Sequence, residues 1–257
     1  FLVYPHLAEA IRQRQAVLAQ YDASKALFLH ADGSPLKEGE RLRQPDLAKT
    51  LREILARGRD GFYKGWVAQN LVAQQQKLGG ILTQADLDAY QVKYRKPVQG
   101  TYKGYTVLSM PPPSSGGVHV LEILNILEGL RLRGPQSPDA VHKTASAMQM
   151  AFADRAKYLG DPDFVRVPVD GLTSKAYAQK LRESIPQNLA RSAEQVSNAN
   201  PFTYESDHTT HISLMDDAGN VISTTQTVNG YMGAGVVVPG AGFLLNNEMD
   251  DFSIKPG

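Results

Sequence analysis

Apolar residues at Leu7, Ala10, Ile11, Val17 and Leu18 recur at helical spacing and predict an amphipathic opening helix. The stretch Phe28-Leu29-His30-Ala31-Asp32-Gly33-Ser34 predicts a strand running into an Asp-Gly turn. Asp46 is expected to cap a helix carrying Leu47, Leu51, Ile54 and Leu55, which stops at Gly58. A second helix is expected over about 63–78, ending at Gly79-Gly80. Thr83, followed three residues later by Asp86, matches a capping box that opens a short helix to about Tyr90. Residues 97–110 alternate like a hairpin with its turn near Lys103-Gly104. Residues 118–130 and 140–158 read as two long helices.

Between these elements lies Met110-Pro111-Pro112-Pro113-Ser114-Ser115-Gly116-Gly117. Three prolines cannot continue a helix, and two glycines permit close backbone approach. This block reads as a structural lead into the Val118 helix. The polar stretch 188–200 reads as a mobile loop. From Thr209 the texture changes to strands: His211-Ile212-Ser213-Leu214 alternates, residues 216–220 make a turn, and residues 221–227 return antiparallel. Val236-Val237-Val238 and Phe243-Leu244-Leu245 read as further short strands. Helices come first and a glycine-rich sheet follows, with no internal repeat.

Composition narrows the chemistry. The chain has 257 residues, 27 basic and 26 acidic side chains, and a formal charge of +1. That near-neutral balance, with no Lys/Arg cluster, argues against a nucleic-acid groove or an anionic-membrane patch. No window approaches the run of about 18 apolar residues that a membrane span needs. The absence of cysteine excludes disulfides, thiolate metal sites and a cysteine nucleophile together. His119 and His142 show no metal-ligand spacing, so no metal is expected. Ser114-Ser115 lacks the Gly-x-Ser-x-Gly context of a serine hydrolase, and the glycines over 230–242 lack that of a dinucleotide site. The chain starts at Phe1 and stops at Gly257 without winding down, which suggests an excised piece.

Asp207-His208-Thr209-Thr210-His211 stands after the loop and at the head of the first strand. A threonine hydroxyl becomes a nucleophile when a base takes its proton. One way to supply that base is to make the threonine the first residue of a chain, so that its own α-amine serves. The commoner reading of a Ser/Thr-rich strand start is a row of edge hydroxyls. His211 reads as a satisfied structural histidine.

Three blocks in order carry a resemblance: Met110-Pro111-Pro112-Pro113-Ser114-Ser115-Gly116-Gly117-Val118-His119, Asp207-His208-Thr209-Thr210-His211-Ile212-Ser213, and Leu244-Leu245-Asn246-Asn247-Glu248-Met249-Asp250-Asp251-Phe252-Ser253. Together with Tyr158-Leu159-Gly160-Asp161-Pro162-Asp163-Phe164 they resemble the γ-glutamyltranspeptidases, across nearly the whole chain.

The resemblance implies an α/β protein of the αββα sandwich type of the N-terminal-nucleophile hydrolases, incomplete here at both ends. It implies a chain that cleaves itself at His208–Thr209, leaving residues 1–208 in a large subunit and 209–257 in a small one, intertwined as one domain. Thr209 would be the nucleophile that takes a γ-glutamyl group from glutathione or a similar donor. Water or an amino acid or peptide amine would receive it, with no cofactor. Thr227 matches the threonine beside the nucleophile's amine; without the family it reads as a plain strand hydroxyl. Asn229, Glu248 and Asp251 match positions that hold the donor's α-amino and α-carboxyl ends, against the plainer reading of a solvated acidic turn. Glu248 stands where close bacterial relatives carry Gln. The resemblance further implies a periplasmic or secreted location.

The family chain begins before Phe1, with an arginine for the donor, and continues past Gly257, with a Ser-Ser pair and the Gly-Gly oxyanion hole. Losing one oxyanion donor costs about 100- to 1000-fold. The 257-residue chain is therefore expected to be uncleaved and inactive or nearly so. The competing expectations are a β-lactam acylase of the same superfamily and a catalytically silent γ-glutamyl-binding protein.

Overall fold

Leu7, Ile11 and Leu18 lie on one face of helix α1 (Pro5–Leu18), with Ile11 and Leu18 fully buried. The computed structural model describes residues 1–134, 136–186, 189–190 and 209–252, Thr209 through its backbone. The chain divides into two units, one comprising Phe1–Val92 and Ser206–Gly257, the other Lys93–Glu205.

In the first unit α1 is followed by α2 (Asp22–Phe28), α3 (Pro45–Arg57), α4 (Asp60–Tyr63), α5 (Gly65–Lys77) and α6 (Gln84–Ala89). Phe28 closes α2 instead of opening a strand, because residues 22–28 form a helix whose Lys25 carbonyl still accepts the Leu29 N–H at 3.0 Å. The expected strand shrinks to a single bridge, Leu29 with Pro35, around the Asp32-Gly33 turn. Asp46 is not a cap: Pro45 starts α3 after Gln44, and the Asp46 carboxylate bonds Lys49 at 3.0 Å within the first turn. The expected helix over 63–78 is interrupted, since Lys64 is extended and Gly65 takes φ +68° before α5 begins. The capping box holds in full, with Thr83 and Asp86 each satisfying the other's backbone N–H.

After a hairpin of β3 (Thr209–Met215) and β4 (Val221–Thr227), the chain returns over these helices. The Ser24 hydroxyl, fully buried, donates to Gly235 O at 2.7 Å and accepts from Val237 N–H at 2.8 Å. The Thr50 hydroxyl donates to Ala241 O at 2.7 Å. Val237 packs with Ile11, Leu18, Phe28 and Leu42, while Val238 and Ala241 pack with Ala68 and Leu71. The two expected strands reduce to one bridge, Val237 with Leu244, because Gly240 and Gly242 at positive φ turn the chain between them.

These ties set where the segment after β4 can run. Ser24→Ala leaves a buried carbonyl and a buried N–H unpaired and is expected to lower stability by about 3 kcal/mol. Urea unfolding measures this, and an unchanged midpoint would show that Ser24 does not hold the segment.

The second unit begins with β1 (Val98–Tyr102) and β2 (Tyr105–Ser109), joined through Lys103 and Gly104, both at positive φ as a tight hairpin turn requires. Four helices follow: α7 (Gly116–Glu128), α8 (Pro138–Tyr158), α9 (Val169–Leu172) and α10 (Lys175–Glu183). At the start of α7 a Cβ on Gly117 would sit 2.0 Å from the Met110 carbonyl oxygen, so only glycine lets the proline block fold back onto the helix. The Asp161-Pro162-Asp163 segment is held by Arg95, which reaches Asp161 at 3.5 Å and Asp163 at 3.0 Å. The loop expected over 188–200 lies outside the described residues except for 189–190.

The protein is thus mixed helix and strand, and its described strands form two separate two-stranded antiparallel sheets. Among the described residues no helix is long and apolar enough to cross a membrane.

Candidate active site

The hairpin β3–β4 pairs Thr209 with Thr227 at its open end, His211 with Thr225 and Ser213 with Ser223. Alternation places these positions on one face. His211 is exposed yet satisfied: Nδ1 lies 2.8 Å from Thr225 Oγ1, and Nε2 lies 3.1 Å from both Ser213 Oγ and Ser223 Oγ. The ring is held by strand hydroxyls on an exposed face and not by a core. His208 lies outside the described residues.

Beyond Thr227 the chain turns sharply. Asn229 is buried and has φ +67°, a conformation that asparagine tolerates better than most side chains. Its N–H donates to Thr227 Oγ1 at 2.8 Å, so the Thr227 hydroxyl oxygen is oriented by the turn that follows it. The Asn229 Nδ2 donates to the Asn247 carbonyl at 3.0 Å.

Asn247 is the residue that the sequence reading passed over. Its Oδ1 accepts the Gly230 N–H at 2.9 Å, its own N–H donates to Val228 O at 3.2 Å, and its Nδ2 donates to Asp250 Oδ2 at 2.7 Å. One side chain therefore ties the end of β4 to the acidic 3₁₀ turn Glu248–Asp251. A signal was present in the Asn246-Asn247 pair ahead of that turn, since asparagine side chains bond local backbone.

Glu248 and Asp251 are exposed at this turn. Partial burial, and then the nearby Asp251 charge, raise the Glu248 carboxyl above its ordinary range. Two carboxylates that disfavour each other gain from a cation placed between them, and an ammonium group satisfies both. The structure thus brings Thr227, Asn229, Glu248 and Asp251 onto one connected segment, with Thr209 across the ladder from Thr227. Among the described residues no three His, Asp or Glu side chains gather as a metal site would require.

A sequence profile of the family described as gamma-glutamyltranspeptidase matches residues 1–257. The glutathione hydrolase proenzyme of Escherichia coli (strain K12) is 46% identical over 260 residues, covering 100% of this chain and 45% of that protein. The acylase ACY 1 proenzyme of Pseudomonas sp. (strain SE83) is 43% identical over 259 residues, covering 100% of this chain and 46% of that protein. The crystal structure of Helicobacter pylori gamma-glutamyltranspeptidase superposes with a TM-score of 0.74 at 41% identity, covering 77% of this chain and 57% of that one. The chain spans about half the length of the curated relatives it matches. With a profile match end to end, and a mixed helix-and-strand fold that superposes on a solved member, the chain belongs to the gamma-glutamyltranspeptidase family.

Proposed function

We propose that the protein transfers γ-glutamyl groups, from glutathione or a related γ-glutamyl compound, to water or to amino acid and peptide amines through an ester on Thr209. The observation that carries this reading is the Asn247 tie, which fixes the acidic turn Glu248–Asp251 to the end of the strand paired with Thr209.

The reaction has two stages. In maturation the Thr209 hydroxyl attacks the His208 carbonyl, the peptide C–N bond breaks, and the acyl group moves to oxygen. Water then hydrolyses that ester, leaving a carboxylate on His208 and a free α-amine on Thr209. Residues 1–208 and 209–257 would then belong to a large and a small subunit of one intertwined domain. In turnover the α-amine takes the Thr209 hydroxyl proton, and the oxygen attacks the donor's γ-carbonyl. The leaving amine departs with a proton, and an acceptor amine or water releases the γ-glutamyl group. Thr227, its oxygen oriented by Asn229, positions the nucleophile and its amine. Asn229, Glu248 and Asp251 hold the donor's amino-acid end, the two carboxylates on the α-ammonium. The chemistry calls on no cofactor, and a periplasmic or secreted location follows the family resemblance.

A second reading, an acylase acting on β-lactam side chains, is supported by the 43% identity to the acylase ACY 1 proenzyme. The two readings differ in whether the acyl donor must carry an α-ammonium. Asn247→Ala tests the tie itself. In a protein that extends this chain to the length of its relatives, it is expected to lower kcat/KM for a γ-glutamyl anilide by about 10- to 100-fold, chiefly through KM, because the acidic turn loses its register with β4. Steady-state kinetics beside a thermal melt separate this from unfolding, and an unchanged KM in a folded variant would remove the observation on which the proposal stands.

A further inference from the structure

The Lys93–Glu205 unit buries a polar stripe that the proposed reaction does not use. Along one face of α7, His119, Glu122 and Asn125 are spaced by three residues and are 7%, 0% and 1% exposed. Apolar layers flank the stripe: Val98, Val118, Leu121 and Leu172 on one side, and Ile126, Ala147, Met150 and Ala178 on the other. Neither Glu122 carboxyl oxygen has a hydrogen-bond partner, and no cation pairs with it; the charge that acts on it is the Asp154 carboxyl of α8, itself 9% exposed. Asp154 Oδ2 accepts the Tyr177 hydroxyl of α10 at 2.8 Å. That bond ties α8 to α10 beside the buried Glu122 of α7.

We propose that Glu122 is buried as the neutral acid and acts as an alkaline release for the packing of α7 against α8 and α10. Two carboxyls side by side in an apolar layer cannot both ionise without a cation. The nearby charges do not supply one. Arg155 of α8 lies over the Phe152 ring and acts on His119. Arg182 of α10 donates to the Asn125 and Ile126 carbonyls, each at 3.0 Å, and Lys175 bonds Glu128 and Thr101 O. Tyr158 faces Tyr177, while β1, β2 and α9 contribute Val98, Val107, Val169 and Leu172. The Tyr177 hydroxyl donates to Asp154, whereas nothing donates to Glu122, so Glu122 is the carboxyl left without support for a charge.

Burial, reinforced by Asp154, pushes Glu122 up to about 9, and burial pushes His119 down to about 4. The ordinary values are 4.5 and 6.5, so between them the unfolded chain carries His⁺ and Glu⁻ while the folded chain carries neither charge. The proton count is equal, and the cluster adds no pH dependence there. Above 6.5 the folded state holds one proton more, and the folding equilibrium weakens tenfold per pH unit until Glu122 ionises near 9. That loss accumulates to about 300-fold. Below 4.5 the sign reverses, and stability falls with pH until His119 charges near 4, where the proton counts become equal again.

Infrared spectra of the chain in D₂O read the proton directly. A protonated carboxyl stretch is expected at pH 7, fading as pH passes about 9, and missing from Glu122→Gln; no such band in the unsubstituted chain would overturn the proposal. Urea unfolding between pH 7 and 9 supplies the second readout. The unsubstituted chain should lose stability over that range and Glu122→Gln should lose markedly less; equal losses would overturn it. If Glu122→Gln does not fold, Asp154→Asn decides. Removing the like charge should move the band's midpoint to lower pH, and an unmoved midpoint would show that the band is not Glu122's and overturn the proposal.

Discussion

In a protein that extends this chain to the length of its relatives, Thr209→Ala is expected to prevent the cut between residues 208 and 209 and to lower turnover of a γ-glutamyl anilide by at least about 10⁴-fold, the scale on which enzymes lose rate when their nucleophile is removed. Both effects come from one oxygen, since the same hydroxyl would cut the precursor and carry the acyl group. The two must therefore fail together, and intact mass and kinetics on one preparation test that coupling. Thr209→Ser keeps an oxygen at the same place on β3 and should retain a measurable share of both activities. The assignment fails if the alanine variant still yields two polypeptides meeting at His208–Thr209, or still turns over. A merely structural role for Thr209 would appear as equal losses in the serine and alanine variants.

In the same extended protein, Asp251→Ala should lower kcat/KM for γ-glutamyl donors by about 10² to 10³, because on the proposed reading one of the two carboxylates for the donor's ammonium is lost and Glu248 alone remains. The loss should be confined to donors that carry an α-ammonium. A glutaryl donor, with the same chain length and no amino group, should be indifferent to the change or improve. Comparing the two donors in one variant removes general misfolding from the answer. If both donors lose equally, the turn is structural. If neither changes, the donor-site reading is wrong and the acylase reading gains. Asp251→Asn, which keeps shape and drops charge, should fall between.

Local chemistry made much of this protein legible. The Thr83–Asp86 capping box, the Lys103-Gly104 hairpin turn and the β3–β4 hairpin each rest on bonds between near neighbours, and the structure shows all three. The misreadings have distant causes. Phe28 belongs to a helix because Phe28 and Leu29 both pack into the core around α1, and tertiary burial overrides a local strand signal. Val236-Val237-Val238 has strand composition, yet its backbone is taken by Ser24, more than 200 positions earlier in the chain. Of the candidate site, Thr209, Thr227, Asn229, Glu248 and Asp251 could be named through the family resemblance. Asn247 stands in one of the family blocks, but its part in joining residues 228–230 to residue 250 could not be read there. Glu122 was equally silent: a glutamate within Val118-His119-Val120-Leu121-Glu122-Ile123-Leu124 is noticeable only once the helix is seen to be covered on that face.

The two-residue period of the β3–β4 ladder has an evolutionary corollary. Parity along either strand decides which side chains share a face with the Thr227 hydroxyl, so a single inserted or deleted residue between Thr209 and Met215, or between Val221 and Thr227, would exchange the His211–Thr225 face for the Ile212–Thr224 face. The turn over 216–220 is free of that restriction. It is closed by Asp216, which bonds the Asn220 backbone and side chain, and it lies at the end of the ladder away from Thr209. Length polymorphism and engineered insertions can therefore be absorbed at the tip, while the stems are locked to an invariant residue count.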